Sequence, residues 1–518
     1  MTVSTTPYRS GLRAGRDGFP QLLRAEWTKF RTVRGWVVGT WVAGLVMVLV
    51  GVLAASAFHN YGCLAPPGQA CPSVPLGPGG EAVDDHFYFV HQTLDGDGSV
   101  TVRVTLPTGL ITYPSYAPND IVSGLVPWAK AGVIIKESTR QGSPYAAVMV
   151  TGSHGVRMQY NYVHDSAGGP GGISSASPRW LRLSRSGDSL TGYGSADGTH
   201  WTKIGTAYLA GLPATVQAGL FVASPAYVEQ SPGIAGGEQQ HLTQATAHFD
   251  HLSLQGTAGA WTGDNIGGVP GGPALGQGGF EHSGGTFVVS GTGDIAPNVA
   301  GERRLEDTLL GTFAGLIVVI VVGTIFITAE YRRSMIGTTL AASPRRGRVL
   351  VAKAIVIGSV TFVAGLAAAA VAVSLGGWIL RANGNYIYPV TSLTEFRVVA
   401  GSGALLAVVA ILAVAMGALF RRSAGAVTTL IALIIVPYVL AIASPLPDAV
   451  SEWLLRLTPA AAFAIQQSLP WYPQVNSAYD TLFNGHYPMA PWAGFAVLCT
   501  YAAVLLGLAV FVLRRRDA

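Results

Sequence analysis

Six uncharged apolar runs set the pattern of this chain, at residues 36–57, 308–328, 354–380, 398–420, 424–444 and 491–513. None contains Asp, Glu, Lys or Arg, and each matches the roughly 20 residues needed to cross ~30 Å of hydrocarbon as a helix. The first ends in Ala55-Ser56-Ala57, which looks like a signal-peptidase site. Its apolar core is longer than a signal peptide's, and some 35 residues precede it, so it reads as an uncleaved span.

Between the first and second runs the pattern changes period. Short stretches alternate polar and apolar residues and are broken by Gly, Asp, Asn and Pro, which predicts an antiparallel β protein. The expected strands are 87–93, 99–104, 131–137, 145–150, 156–162, 180–184, 189–195 and 216–222, with 248–254 and 286–290 closing the sheets. Asp197-Gly198 reads as a two-residue hairpin turn. The Gly-rich stretch 256–300 reads as a flexible tether.

Ahead of the first span, Pro20 suits the first turn of a helix, where its missing N–H costs nothing. At 100° per residue, Leu22, Leu23, Trp27, Phe30 and Val33 share one arc, with Arg24, Thr28 and Arg31 opposite. This is a basic amphipathic helix suited to a membrane surface. Glu26 falls inside the apolar arc. It either contacts another cytoplasmic element or reaches back to Lys29 three residues on.

Composition agrees with a membrane protein: 49% of residues are apolar and 11% charged, against about 25% charged in soluble domains. Of 32 basic residues 5 are Lys, and Ala, Gly and Val abound, a bias that suggests a GC-rich bacterial genome. Placing both termini inside puts 18 basic and 4 acidic residues in the cytoplasmic segments, whereas 58–306 carries 11 basic and 18 acidic. The positive-inside rule is then met by every loop. Cys63 and Cys71, in the outer segment of that arrangement, either form a disulfide or stay as free thiols; Cys499 lies alone in the last run.

The fold expected is therefore mixed: a six-helix membrane domain with cytoplasmic termini and a large all-β sandwich inserted between the first and second spans. Residues 1–35 form the cytoplasmic N-terminus with its interface helix, and 36–57 the first span. Residues 58–306 form the extracytoplasmic domain (sandwich about 84–255, tether about 256–306), and 307–518 hold five further spans with a loop at 329–349.

That loop, together with the N-terminal helix, carries a resemblance. Arg24, Glu26, Trp27, Lys29, Arg31 and Arg34 precede the first span, and the second ends in Thr328-Ala329-Glu330-Tyr331-Arg332-Arg333 with Ser343-Pro344-Arg345-Arg346 beyond. Over residues 18–57 and about 305–518 this resembles the membrane subunit of type-two ATP-binding-cassette exporters. The resemblance implies an ATPase-coupling element within 330–348, with Glu330, Tyr331, Arg332, Arg333, Arg345 and Arg346 as its contact residues. It also implies an elbow helix at 24–34, an outer re-entrant pair at 450–469, and a second permease subunit, identical or paralogous. From the residues alone, 330–348 also reads as a plain topology anchor.

The chain has no G-x-x-x-x-G-K-[ST] loop, so ATP is expected on a separate ATPase and no cofactor on this chain. Without carboxylates in the spans, ion coupling is disfavoured and energy from a partner fits better. Nothing calls for a nucleic-acid partner. The expected location is a bacterial plasma membrane.

In the inserted segment, Trp128-Ala129-Lys130-Ala131-Gly132-Val133, Pro178-Arg179-Trp180-Leu181-Arg182-Leu183 and Ser195-Ala196-Asp197-Gly198-Thr199-His200-Trp201 resemble the concanavalin-type lectin and glucanase sandwich over about 84–254. Tyr160, Tyr162, Tyr193 and Trp201 are candidate glycan contacts, although strand aromatics are more often core. No carboxylate pair at strand spacing suits glycoside hydrolysis, so an enzyme is not expected. Asp95 and Asp97 read as a turn or a weak calcium-type site. The rival reading is a lectin-like or wall-attachment protein that uses the spans only as a platform.

Overall fold

A computed structural model describes residues 18–59, 74–113, 120–168, 177–230, 238–256, 259–268, 277–299, 302–332, 346–442, 448–475 and 486–515. All six apolar runs are helices: α2 (Arg34–Ala57), α3 (Thr312–Arg332), α4 (Arg346–Ala382), α5 (Ser392–Phe420), α6 (Ser423–Ile442) and α8 (Pro491–Arg515). Each has the length and composition to cross a membrane. Several outrun the apolar core by a turn or more, because backbone hydrogen bonding continues through charged ends where water or an ion pair receives the side chains. The N-terminal helix α1 (Phe19–Thr32) has Pro20 in its first turn, as its sequence predicts, and Val33 in extended conformation separates it from α2.

Helix α5 is the centre of the bundle and packs on α3, α4 and α8. Small residues permit the approach. A Cβ added to Gly403 would lie 2.9 Å from the Leu366 nitrogen, and one on Gly365 3.1 Å from the Gly403 Cα. Such close backbone crossing is how membrane helices gain van der Waals contact without a hydrophobic driving force. Between α6 and α8, where the resemblance implied a re-entrant pair, run α7 (Asp448–Leu457) and a wholly buried 3-10 segment Pro459–Gln466. Gln466 Nε2 donates to Thr312 Oγ1 at 3.0 Å and Ser402 Oγ at 2.9 Å, joining α3 and α5 through polar contacts.

The segment between α2 and α3 is β structure. One sheet runs Thr202–Tyr208, Ser189–Ser195, Arg179–Ser186, Gly98–Val104, Glu238–Gln255, Thr286–Gly291 and Gly279–Ser283, with three further strands attached. The other runs Thr262–Ile266, Phe87–Asp95, Thr215–Ala223, Lys130–Lys136, Tyr145–Thr151, Val156–Tyr160 and His164–Ala167. They pack face to face on a core that includes Val90, Val102, Val133, Val148, Leu183 and Phe249. Every strand expected from alternation is present.

Two expectations fail. The Gly-rich stretch read as a tether carries strands Thr262–Ile266, Gly279–Ser283, Thr286–Gly291 and Ile295–Pro297, all paired into sheets. Their glycines serve turns, as at Gly284 and Gly285 with φ +58° and +81°. Asp197-Gly198 is not a two-residue turn; it lies in a loop spanning Gly194 and Thr202, where Asp197 Oδ1 accepts the Thr199 and His200 N–H groups.

The sheet containing Lys130–Lys136 is buried on its second face too. There Phe87, Phe89, Tyr145, Met149 and Phe221 meet Val83 and Ile295 of the small sheet Val83–Asp85 with Ile295–Pro297. Lys136 Nζ donates to Asp85 Oδ2 at 2.9 Å, and the Tyr162 hydroxyl donates to the same oxygen at 2.8 Å. Tyr162 is fully buried, so it is a core residue and not a surface glycan contact.

The β domain is tied to the bundle through the α4–α5 loop. Arg303 and Ile387 form a parallel bridge, and the Tyr388 hydroxyl lies 2.7 Å from the Ala82 carbonyl and 2.6 Å from that of Asn298. Arg303 stacks over Phe58 at 3.8 Å. From the segment after the 3-10 turn, Gln474 Nε2 donates to the Tyr162 carbonyl at 2.8 Å.

Candidate functional site

At the end of the bundle away from the β domain, three helices meet on one ammonium group. Helix α1 turns its mixed face inward, burying Glu26 and Phe30. The last turns of α3 supply Phe326 and Glu330, and the second turn of α4 supplies Lys353. Lys353 Nζ lies 2.6 Å from Glu26 Oε2 and 2.6 Å from Glu330 Oε1. Lys29 Nζ adds contacts of 2.9 Å to Glu26 and 3.4 Å to Glu330.

The residues were selected by where each helix ends. Lys353 sits in Leu350-Val351-Ala352-Lys353-Ala354-Ile355, an apolar stretch in which a lone cation must find partners or stay in water. It is fully buried, as are Glu26 and Glu330 to within a few per cent. An isolated buried ion costs several kcal/mol, so two carboxylates between two ammonium groups form the arrangement in which burial is tolerable. Phe326 closes the apolar side: its ring lies 4.7 Å from Lys353 Nζ, 6.0 Å from the Phe30 ring and 4.8 Å from that of Trp36. At half-exposed Lys29 burial works against the charge, but the Glu26 hydrogen bond and the two carboxylates outweigh it and hold its pKa above the usual value.

Both open readings of Glu26 are realised at once: it pairs with Lys29 on its own helix and with Lys353 across 327 residues of chain. Of the coupling candidates, Glu330 is buried in the cluster, Tyr331 lies beneath the Arg421 guanidinium at 5.4 Å, and Arg332 is exposed at the helix end. Arg346 opens α4. Arg333 and Arg345 lie outside the described residues. Arg24, Arg31 and Arg34 are exposed, and Trp27 is half exposed. The cluster is thus built from Glu26, Lys29 and Glu330, which the sequence pattern singles out, and Lys353, which it does not. The available clue to Lys353 was its rarity: one of 5 lysines, set among apolar residues.

The remaining candidates are dispersed. Cys63 and Cys71 lie outside the described residues. Tyr160 is partly buried and stacks on His164 at 4.2 Å, and Trp201 lies under Arg182 at 4.0 Å. Tyr193 is partly exposed on its strand. The three do not form one surface with Tyr162. Asp95 and Asp97 behave as turn residues, accepting from the Thr215 hydroxyl at 2.6 Å and the Gly187 N–H at 2.7 Å. Among the described residues no group of three or more His, Cys, Asp or Glu is placed to hold a metal.

Residues 205–518, more than half of the chain, match the family described as ABC-2 family transporter protein. The match takes in the last strands of the β domain as well as α3 to α8. No curated protein matches. Among solved structures, a functionally unknown protein from Saccharomyces cerevisiae aligns at 15% identity and TM-score 0.19, over 33% of this chain and 76% of that one. Scytalido-glutamic peptidase with a transition-state analog inhibitor aligns at 10% identity and TM-score 0.25, over 40% and 98%. Likeness this low carries no argument about fold or chemistry.

Proposed function

The chain belongs to the ABC-2 transporter family, and from that premise we propose that it is the membrane permease of an ATP-binding-cassette exporter driven by a separate cytoplasmic ATPase. The observation that carries the reading is the Glu26–Lys353–Glu330 junction. It binds the N-terminal helix, the end of α3 and the start of α4 into one block, so force applied to the 329–349 loop reaches two spans and the elbow helix together. Packed, ion-paired elements of this kind move as rigid bodies and do not bend locally. Arg332 and Arg346 flank the loop as its exposed and half-exposed charges and suit contact with an acidic groove on the ATPase.

The same reading places the β domain outside the cell and pairs the chain with a second permease subunit. For the β domain we favour handling of exported substrate or envelope glycan over a passive spacer, because its ties to the α4–α5 loop and to Gln474 fix it to the bundle at two points. A lectin platform without transport is the weaker reading, since it gives the charged junction no task.

Two cysteine variants test orientation and coupling together. In intact cells S123C takes a membrane-impermeant maleimide, whereas R332C reacts only after permeabilisation and then crosslinks to the ATPase. Labelling in the reverse order would contradict the exporter arrangement.

A further inference from the structure

A second feature lies at the opposite end of the bundle. A cavity of about 740 Å³ opens between the start of α5, α7, the 467–472 segment and the start of α8. Its charged side chains are Arg397, Arg456 and Glu452, with Glu452 paired to Arg456 at 2.9 Å, and His486 also lines it. The excess is positive, and the N-termini of the 29-residue α5 and the 25-residue α8 both point into this region and add to it.

The wall also holds an unmet hydrogen-bonding group. Ser468 is 6% exposed and lines the cavity, and its hydroxyl has no hydrogen-bond partner among the described residues. A buried hydroxyl left unpaired is unfavourable, and a ligand oxygen at this point would satisfy it. Behind it the Ser468 N–H donates to Glu306 Oε2 at 3.2 Å. Burial pushes the Glu306 carboxyl up to about 7, which lessens its opposition to a bound anion.

The rim is apolar. Trp471 lines the cavity and stands exposed, and Leu393, Phe396, Trp453 and Trp492 are exposed close by on α5, α7 and α8. Exposed tryptophans at the ends of spans mark the bilayer interface. The opening therefore lies where a lipid headgroup could enter while its chains rest on the exposed side chains.

We propose that this cavity binds the headgroup of an anionic lipid, with the phosphate near Arg456 and Ser468 and the acyl chains along Trp471. The site does not depend on an ATPase at the other end of the bundle. Arg397 is the anchor of the wall and not the test position, because its guanidinium donates to the Ile465 and Gln467 carbonyls at 3.1 and 2.6 Å.

The test is native mass spectrometry of the full-length chain in mild detergent, titrated with phosphatidylglycerol, phosphatidylcholine or inorganic phosphate. Phosphatidylglycerol should bind at least tenfold more tightly than phosphatidylcholine. R456Q and S468A should each weaken phosphatidylglycerol binding several-fold while leaving phosphatidylcholine binding unchanged and without lowering the melting temperature. Equal binding of the two lipids, or full binding by both variants, would overturn the proposal. Inorganic phosphate binding as tightly as phosphatidylglycerol would overturn the lipid assignment and leave a free-anion site.

Discussion

Lys353 and Glu26 form a buried ion pair at 2.6 Å although 327 residues separate them in the chain. The whole β domain is inserted between them. Breaking it by K353A leaves Glu26 and Glu330 facing each other with only half-exposed Lys29 to offset them. Loss of one partner of a buried pair costs about 3–5 kcal/mol. The double variant E26Q/K353M removes both charges and should be more stable than K353A alone. Melting curves of the unaltered chain and these two variants in detergent check this, and a double variant no more stable than K353A would mean the pair is not coupled.

The Tyr388 hydroxyl is one of the contacts that tie the β domain to the bundle. Y388F removes the donor that reaches the Ala82 and Asn298 carbonyls. We expect a loss of about 1–2 kcal/mol, confined to the junction. Hydrogen exchange should speed up at the Arg303 and Tyr388 amides while the amides of α5 stay protected.

The Lys136–Asp85–Tyr162 cluster is structural, and its variants should separate stability from ligand binding. K136M leaves buried Asp85 with the Tyr162 hydroxyl and the Gly142 N–H as donors but no countercharge, and should lower the melting temperature of the β domain strongly. W201A, at a partly exposed ring stacked by Arg182, should leave stability nearly unchanged. If the domain holds envelope glycan at that loop, retention on a glycan column falls for W201A and persists for Y162F.

Glu306 gives a pH dependence with a defined sign. Its carboxyl titrates near 4.5 when unfolded and is raised to about 7 in the fold by burial. Between those values the folded chain keeps a proton that the unfolded chain releases, so this group's contribution is greatest below about 4.5 and is lost as pH rises toward 7. The slope for one such group is about 1.4 kcal/mol per pH unit. E306Q should flatten this part of the profile, seen as a smaller difference in melting temperature between pH 5 and pH 8 than in the unaltered chain.

Much of this architecture was legible because burial writes itself into sequence period. The six spans and the strands around Val90, Val133 and Val148 follow from uncharged runs and two-residue alternation. The Gly-rich stretch misled because composition cannot distinguish a tether from short strands joined by tight turns, and its apolar residues, such as Trp261, Ile266 and Phe280, stand isolated among glycines. Tyr162 misled because an alternating strand does not reveal that its second face is covered. Lys353 was invisible as a site residue because a single cation beside a span looks the same whether it faces water or two carboxylates from distant helices.

The central claim is that this chain works with a separate ATPase through the loop after α3. The most direct measurement is co-purification of the full-length tagged chain in mild detergent, with ATP hydrolysis assayed on the eluate. The account predicts recovery of an ATPase bearing a phosphate-binding loop, and its loss from a variant carrying R332A and R346A that melts at the unaltered temperature. An eluate of well-folded chain with no ATPase, or an ATPase retained undiminished by that variant, would contradict it.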